Sequence, residues 1–591
     1  MRIKNWHVIA VLSCILWAVY YPALFAPLCS VDDVRLVNDL LNRPEVGWMD
    51  VWFPRSTTYY RPLISGSFIL DLLLWHLETP FLHFENILFH WINALLVFVL
   101  ARLAARKLGI DVMLVPFVAA LAFALHPINT EAVIWVAGRA DLLACTFILL
   151  SLICTIRYLD SANRLWLPAL MLVFVTGCLA KETVLFVLPG IGLFSLLLRK
   201  QVREVARQRW AAVWPVIICL LGSTGYFLLR SYVLRDRDLG LQHVAYVASG
   251  SPDAPSVVAT QTFSLSARFV EIAQTALAVA GFYLRKLMQP FPLNFGIVDV
   301  PDGYWLVGCL LLIFAFVLIL RLTWAGCFFL TAMSLGSIAL LVALGDISWT
   351  PVAERYMYSP AAMTMIGCTL ASAEALQKHG KKGCSAVLRW CLPLLFLVAA
   401  AGVLQRGIVW QDNLTLFSDT VAKSPDFALA KSELAIALLQ RGHKKDALAL
   451  LATSDVPDSQ PGSLSKALVF VEQGRLGDAR TFLLDKLQAE NSQAYRTGTL
   501  KMLDKILGML RDKCADLEQA QDYDRERIDY LKQLLHSSGD PFYLYRIGLL
   551  QMTLGEYVEA RESFSAAHNS LPEDSIYKAP AGKLAEKMRN K

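Results

Sequence analysis

Residues 126–141 read HPINTEAVIWVAGRAD and lie between two stretches, 112–125 and 142–158, that are apolar enough to sit in lipid. Within those positions stand His126, Glu131, Arg139 and Asp141. A loop that only turned the chain would manage with Gly, Asn and Ser. Ionisable side chains beside hydrocarbon are costly and commonly mark a polar cavity or pathway. The turn therefore decides between a passive apolar bundle and one that encloses a site.

The composition sets the class. Of 591 residues 56% are hydrophobic and only 18% charged, and the mean hydropathy is +0.48. A soluble chain carries nearer a quarter charged residues, so the composition implies an integral membrane protein. The formal charge of +6 is modest, and its basic residues cluster in short loops. That is the pattern of membrane topology, and it argues against a nucleic-acid partner. The twelve cysteines fall mostly inside apolar runs, with no CxxC pair and no zinc spacing. They read as small buried hydrophobes. Residues 1–25 open with a basic patch, but the apolar run that follows is too long for a cleaved leader. The expectation is a retained first span with a cytoplasmic N-terminus.

Eleven apolar stretches approach the length of a span: 6–25, 86–105, 112–125, 142–158, 165–180, 183–198, 211–233, 304–320, 324–344, 356–376 and 387–404. Two more, 62–77 and 270–287, read as interfacial or re-entrant helices on the outer side. The basic loops 102–107, 199–209 and 378–383 belong in the cytoplasm, and eleven crossings satisfy all three. Five charged segments then share the outer face: SVDDVRLVND (30–39), TTYYRPL (57–63), HPINTEAVIWVAGRAD, AKET (180–183) and WTPVAERYMYSP (349–360).

The expected domains are a membrane unit at 1–405, a linker at 406–425 and a soluble helical unit at 426–591. In residues 541–574 the offsets of Gly548, Gly555, Tyr557, Ala560, Phe564, Ala567 and Pro572 match a tetratricopeptide repeat, where small residues let paired helices approach. Gly442 with Ala447, and Gly474 with Ala479, mark weaker copies. The expected fold is thus all-α, a polytopic helix bundle followed by an α-solenoid.

On the outer face, Asp32 and Asp33 follow the first span directly. One Asp serves as a helix N-cap. A second at the membrane surface could act as a general base on a hydroxyl, or help to hold a divalent cation. Arg139, with His126, suits an anionic group such as a phosphate, because the guanidinium fork binds oxygens bidentately; alternatively Glu131 and Arg139 pair across the turn. Lys181–Glu182 interrupts an apolar run, and its Lys could simply snorkel. Glu354–Arg355 opens another outer turn and could be a local pair. Together with Arg61 and Asp141 these groups could line one charged cavity.

The quoted segments, with the junction at 410–442, resemble the transmembrane and tetratricopeptide-repeat-containing (TMTC-like) O-mannosyltransferases of the GT-C glycosyltransferase class. The resemblance runs along nearly the whole chain in order. It implies a GT-C bundle that moves a hexose such as mannose from a polyprenyl-phosphate carrier to a protein Ser or Thr hydroxyl on the extracytoplasmic side, with inversion. It implies Asp32 or Asp33 as the base, and Arg139, Lys181 and Arg355, with His126, around the departing phosphate. Glu131, Asp141, Glu182, Glu354 and Arg61 would support them. Only about three degenerate repeats stand where animal members carry long arrays. The compact chain points to a bacterial inner membrane, an undecaprenyl-phosphate carrier and periplasmic repeats. No cofactor beyond a divalent cation is suggested. The competing readings are a non-catalytic membrane scaffold that recruits partners through its repeats, and a lipid-linked-sugar flippase or polymerase. The latter would need polar residues running through the spans.

Overall fold

The computed structural model describes residues 5–41, 48–54, 59–110, 112–201, 212–234, 265–345, 350–379, 385–452, 464–489, 493–572 and 575–589. Among them regular structure is helical, apart from an isolated antiparallel bridge between Ile297 and Val352. The chain divides into two compact units, Met1–Asp33 with Gly47–Phe427, and Val34–Val46 with Ala428–Lys591.

The first unit contains α1 (Asn5–Tyr20), the start of α2 (Asp33–Leu41), α3 (Trp48–Trp52), α4 (Pro62–Trp75), α5 (Thr79–Lys107) and α6 (Leu114–Ala124). Next come α7 (Thr130–Ile134), α8 (Arg139–Ser161), α9 (Trp166–Ala180), α10 (Leu188–Gln201), α11 (Trp214–Leu234) and α12 (Leu265–Met288). It ends with α13 (Trp305–Arg321), α14 (Trp324–Gly345), α15 (Tyr358–His379), α16 (Ser385–Val409) and α17 (Asn413–Lys423). The protein is an all-α membrane bundle. Among the described residues seven helices are long and apolar enough to cross a bilayer, or eight if the bent pair Leu114–Ala124 and Pro127–Ile134 is one span.

Of the eleven stretches expected to span, seven, or eight with the bent pair, coincide with these helices. Residues 165–180 and 183–198 become the short helices Trp166–Ala180 and Glu182–Leu198. A helix of 15 residues rises about 22 Å, short of a hydrocarbon core roughly 30 Å thick. Residues 112–125 end in a 48° bend at His126. Residues 356–376 lie in a 22-residue helix that is not among the span-like ones. Residues 406–425, expected as a linker, are helical for most of their length. They continue α16 and form α17, joined by an ion pair between Arg406 and Asp419 at 2.6 Å.

Helix α5 is the backbone of the bundle's polar interior. Asn86, His90 and Asn93 are spaced along one face of it and are buried. Asn86 donates to the Trp135 carbonyl at 2.9 Å, and Asn93 to the Leu142 carbonyl at 2.9 Å. His90 Nε2 meets the Ala124 carbonyl at 3.1 Å, which assigns the ring proton to that nitrogen, while Nδ1 accepts from Tyr358 Oη at 2.7 Å. Trp135 lies within the turn at 126–141, and Ala124 and Leu142 stand just before and just after it. Ala124 ends α6, and a carbonyl there lacks an intrahelical partner and cannot be left bare in an apolar interior. His90 satisfies it, while Asn86 and Asn93 tie the turn and the start of α8 to α5.

In the second unit, α18 (Ala428–Gln440) packs on α19 (Lys444–Ala452), α20 (Ser465–Glu472) on α21 (Leu476–Ala489), and α22 (Gln493–Lys513) on α23 (Leu517–Ser538). Helix α24 (Phe542–Leu554) packs on α25 (Tyr557–Ser570), and α25 on α26 (Lys578–Arg589). Gly442, Gly474 and Gly555 all take positive φ, at 83°, 77° and 81°. The left-handed region ends a helix at little cost only for glycine. Ala447, Ala479 and Ala560, at the matching place in each second helix, are fully buried. This is compatible with a tetratricopeptide solenoid.

Candidate functional site

Each of the charged segments expected on the outer face is tied to at least one other. Asp33 Oδ1 accepts from the Ala137 N–H at 2.9 Å, joining the first loop to the 126–141 turn. Arg61 Nη2 pairs with Glu182 Oε1 at 2.7 Å. Lys181 Nζ pairs with Asp141 Oδ1 at 2.6 Å. Arg355 Nη1 pairs with Glu131 Oε1 at 2.5 Å, and its backbone N–H donates to Glu131 Oε2 at 3.2 Å. The 126–141 turn is the hub, because three of the other segments bond to it directly.

The two acid–base dipeptides do not pair internally. Lys181 turns to Asp141 while its neighbour Glu182 turns to Arg61. Arg355 turns to Glu131 while Glu354 turns to Lys286 Nζ, 2.8 Å away. Adjacent side chains that point apart lace three elements together. These are structural corrections to the local-pair reading of Glu354–Arg355 and to the snorkelling reading of Lys181, which is buried. The Tyr356 ring lies near both buried cations, its centroid 6.0 Å from Lys181 Nζ and 4.8 Å from Arg355 Cζ. Arg355 also lies over the Trp135 ring at 4.8 Å. The charge of Asp141 acts on both Arg61 and Arg355.

Arg139 differs from its expected role. It is fully buried, with Nη1 2.5 Å from Asp71 Oδ2 and Nη2 3.1 Å from Glu85 Oε2. Its Cζ lies 4.2 Å from the Phe68 ring centroid, and Nη1 also reaches Ser67 Oγ at 3.3 Å. Its Nη2, though buried, makes no hydrogen bond, and the closest ion pair of the guanidinium is with Asp71 rather than with Glu131. His126 is likewise committed. Its Nε2 meets the Leu287 carbonyl at 3.0 Å and Nδ1 accepts the Ile128 N–H at 3.3 Å, as a neutral ring does. Sequence reasoning missed Asp71, although an acid inside the apolar run 62–77 was the signal for it. Glu85, Lys286 and Tyr356 were missed too; Lys286, near the end of an apolar stretch, reads as an ordinary interfacial cation.

Asp33 begins α2 but does not cap it. Both carboxylate oxygens point backwards, Oδ2 to the Cys29 N–H at 3.1 Å and Oδ1 to Ala137. With 1% of its surface exposed, burial pushes its pKa up to about 7, against the lowering effect of these N–H groups. Asp32, at the same turn, is only half-buried. Gly138 keeps the turn tight: a Cβ there would lie 2.4 Å from the Ala132 carbonyl oxygen. Among the described residues no three His, Cys, Asp or Glu side chains converge as a metal ion requires.

Comparison with known proteins gives relatives along most of the chain. Protein O-mannosyl-transferase TMTC3 of Mus musculus is 25% identical over 555 residues, 87% of this chain and 57% of the relative. Protein O-mannosyl-transferase F38B6.6 of Caenorhabditis elegans is 26% identical over 397 residues, 66% of this chain and 52% of the relative. The chain's curated relatives are TMTC-family protein O-mannosyl-transferases. A shorter match, to Tmtc2 of Drosophila melanogaster, is 36% identical over 165 residues, 27% of this chain and 17% of the relative. The chain spans about half the length of the first two of these relatives. No protein-family model matches it.

Two outcomes follow from the turn at 126–141 and the buried pairs around it. Replacing Asp71 by Ala strips the enclosed Arg139 of its nearer counter-ion, and loss of one partner from a buried pair costs about 3–5 kcal/mol. Lys107→Ala breaks the more exposed pair with Asp160 and should cost under about 1 kcal/mol. Thermal unfolding in detergent compares the two; equal shifts would contradict the burial argument. The second concerns pH. The folded pKa of Asp33 lies above its ordinary value of 3.8, so the folded state holds a proton that the unfolded chain has released. The stabilisation is complete below pH ~4 and is lost as pH rises to about 7, on the order of 4 kcal/mol. Unfolding measured across that window should show a slope that Asp33→Asn removes.

Proposed function

We propose that the protein is a membrane glycosyltransferase that moves a mannosyl group from a polyprenyl-phosphate carrier to a Ser or Thr hydroxyl of a protein, beyond the outer leaflet. The acceptor oxygen attacks the anomeric carbon and its proton passes to an Asp32 oxygen. The bond from that carbon to the phosphate oxygen breaks, and the lipid phosphate leaves with the bond's electron pair. Attack opposite the leaving group inverts the anomeric centre. Of the two acids, Asp32 suits the base, because Asp33 spends both oxygens on backbone N–H groups and is shut away from a substrate. Asp33 would instead hold the loop that carries Asp32 against the 126–141 turn.

The observation that carries this reading is the pairing pattern. Lys181 and Arg355 both approach one tyrosine ring, and each is fixed by an acid of the same turn. Cations held in place before the reaction stabilise charge developing on a leaving phosphate better than water that must reorganise. Arg61, half-buried beside Glu182, extends the positive side. Arg139 takes a scaffolding part, since it is enclosed by acids. The names of the relatives, protein O-mannosyl-transferases, support the sugar and the acceptor class. By the same resemblance the carrier tail would lie between spans, and the helical repeats would face the acceptor's side.

The test is transfer of radiolabelled mannose from a polyprenyl-phosphate donor to a Ser/Thr peptide by the purified protein in detergent. Asp32→Asn should lower kcat by about a hundredfold or more, as loss of a general base does. Undiminished transfer after both Asp32 and Asp33 are replaced would rule this assignment out.

A further inference from the structure

The segment that delivers Arg355 is gripped residue by residue from one side. Val352 bridges to Ile297. Tyr283 Oη donates to the Ala353 carbonyl at 3.2 Å and accepts the Ala353 N–H at 3.1 Å, so one phenol takes both backbone groups of that residue. Glu354 Oε1 receives Lys286 Nζ at 2.8 Å and the Asn294 N–H at 2.9 Å. Lys286 further donates to the carbonyls of Pro290, at 3.4 Å, and Pro292. Tyr283 and Lys286 stand three apart on α12 and so share a face. Only at Arg355 does the chain turn the other way, to Glu131 and to Thr350 Oγ1 at 2.8 Å.

Three consecutive residues held on one side, followed by a cation directed to the other, is more than a tail-end fastening of α12. Lys286 and Glu354 are both buried, so neither can drift into solvent to find another partner, and the pair acts as a fixed pin. The pin lies one residue from the guanidinium, and a small shift of the Glu354 backbone is passed directly to Arg355. Lys286 has no part in the chemistry described above, and it was not among the residues that the sequence marked.

We propose that Lys286 is a positioning residue for donor binding: by holding Glu354, with Tyr283 holding Ala353, it fixes the backbone from which Arg355 meets the carrier phosphate. This rests on the placing of Arg355 at that phosphate. Lys286→Met then acts through Arg355 and through nothing else in the site.

The experiment is a double-mutant cycle of Lys286→Met and Arg355→Gln, read as steady-state transfer from a polyprenyl-phosphate mannose donor. Lys286→Met should lower kcat/KM for the donor by roughly ten- to a hundredfold, the scale of a misplaced binding group, with the KM for the peptide unchanged. In the Arg355→Gln background it should add almost nothing, because coupled residues are non-additive. Equal factors in both backgrounds, or a change confined to the peptide KM, would overturn the proposal and leave the donor reading standing. An Arg355→Gln protein as active as the wild type, or a wild type without transfer, would bring down the donor reading and this proposal with it. If Lys286→Met does not fold, Tyr283→Phe removes the grip on Ala353 without unpairing a charge, and the same cycle is read with a smaller factor.

Discussion

Every charge near the 126–141 turn needs a partner, and the partners come from distant parts of the chain. Buried ions are tolerated only when they are paired and hydrogen-bonded. Asp33, Glu131, Asp141 and Arg139 therefore draw in Cys29 and Ala137 N–H groups, Arg355, Lys181 and Asp71 respectively. That demand, more than any single helix contact, brings the loops at residues 32–33, 61, 181–182 and 354–355 around one turn. The surrounding apolar helices supply the low-dielectric setting in which mispairing would be costly.

In the proposed transfer reaction the same pairing serves the chemistry. A cation in water binds phosphate weakly because water must first be displaced and reoriented. A lysine and an arginine already desolvated, and already aimed by acids, offer a field that needs no rearrangement. The acids reduce the net charge but keep the direction. The aromatic rings of Tyr356 and Trp135 cover faces of the guanidinium that would otherwise need solvent. Such a site costs stability to build, which is one reason for the polar stripe of Asn86, His90 and Asn93 beneath it.

Much of this was legible in the sequence. Composition gave the membrane class, and the clustering of ionisable residues near span ends named the segments that do converge. Helix ends of the second unit were visible at Gly442, Gly474 and Gly555, because a left-handed helix end restricts residue choice strongly. Span number was less legible. Apolar runs of 15 or 16 residues look like spans to a hydropathy argument, yet the Lys181–Glu182 break makes them short helices around a polar corner. Pair identity was not legible at all. Lys181 beside Glu182, and Glu354 beside Arg355, look like local pairs in one dimension, and only the three-dimensional path shows each side chain reaching elsewhere. Arg139 was picked for its chemistry, but its neighbour across the bundle, Asp71, lies 68 positions away.

The division of the chain into units has its own consequence. One boundary falls between Asp33 and Val34, a second at Val46 and Gly47, and a third at Phe427 and Ala428. The second unit therefore includes a piece of chain that begins immediately after the acid pair. Shortening the protein at Phe427 would strip that piece of its packing companions, one peptide bond from Asp33. A deletion intended to trim a recognition module would thus reach, through the covalent chain, the loop that carries both aspartates.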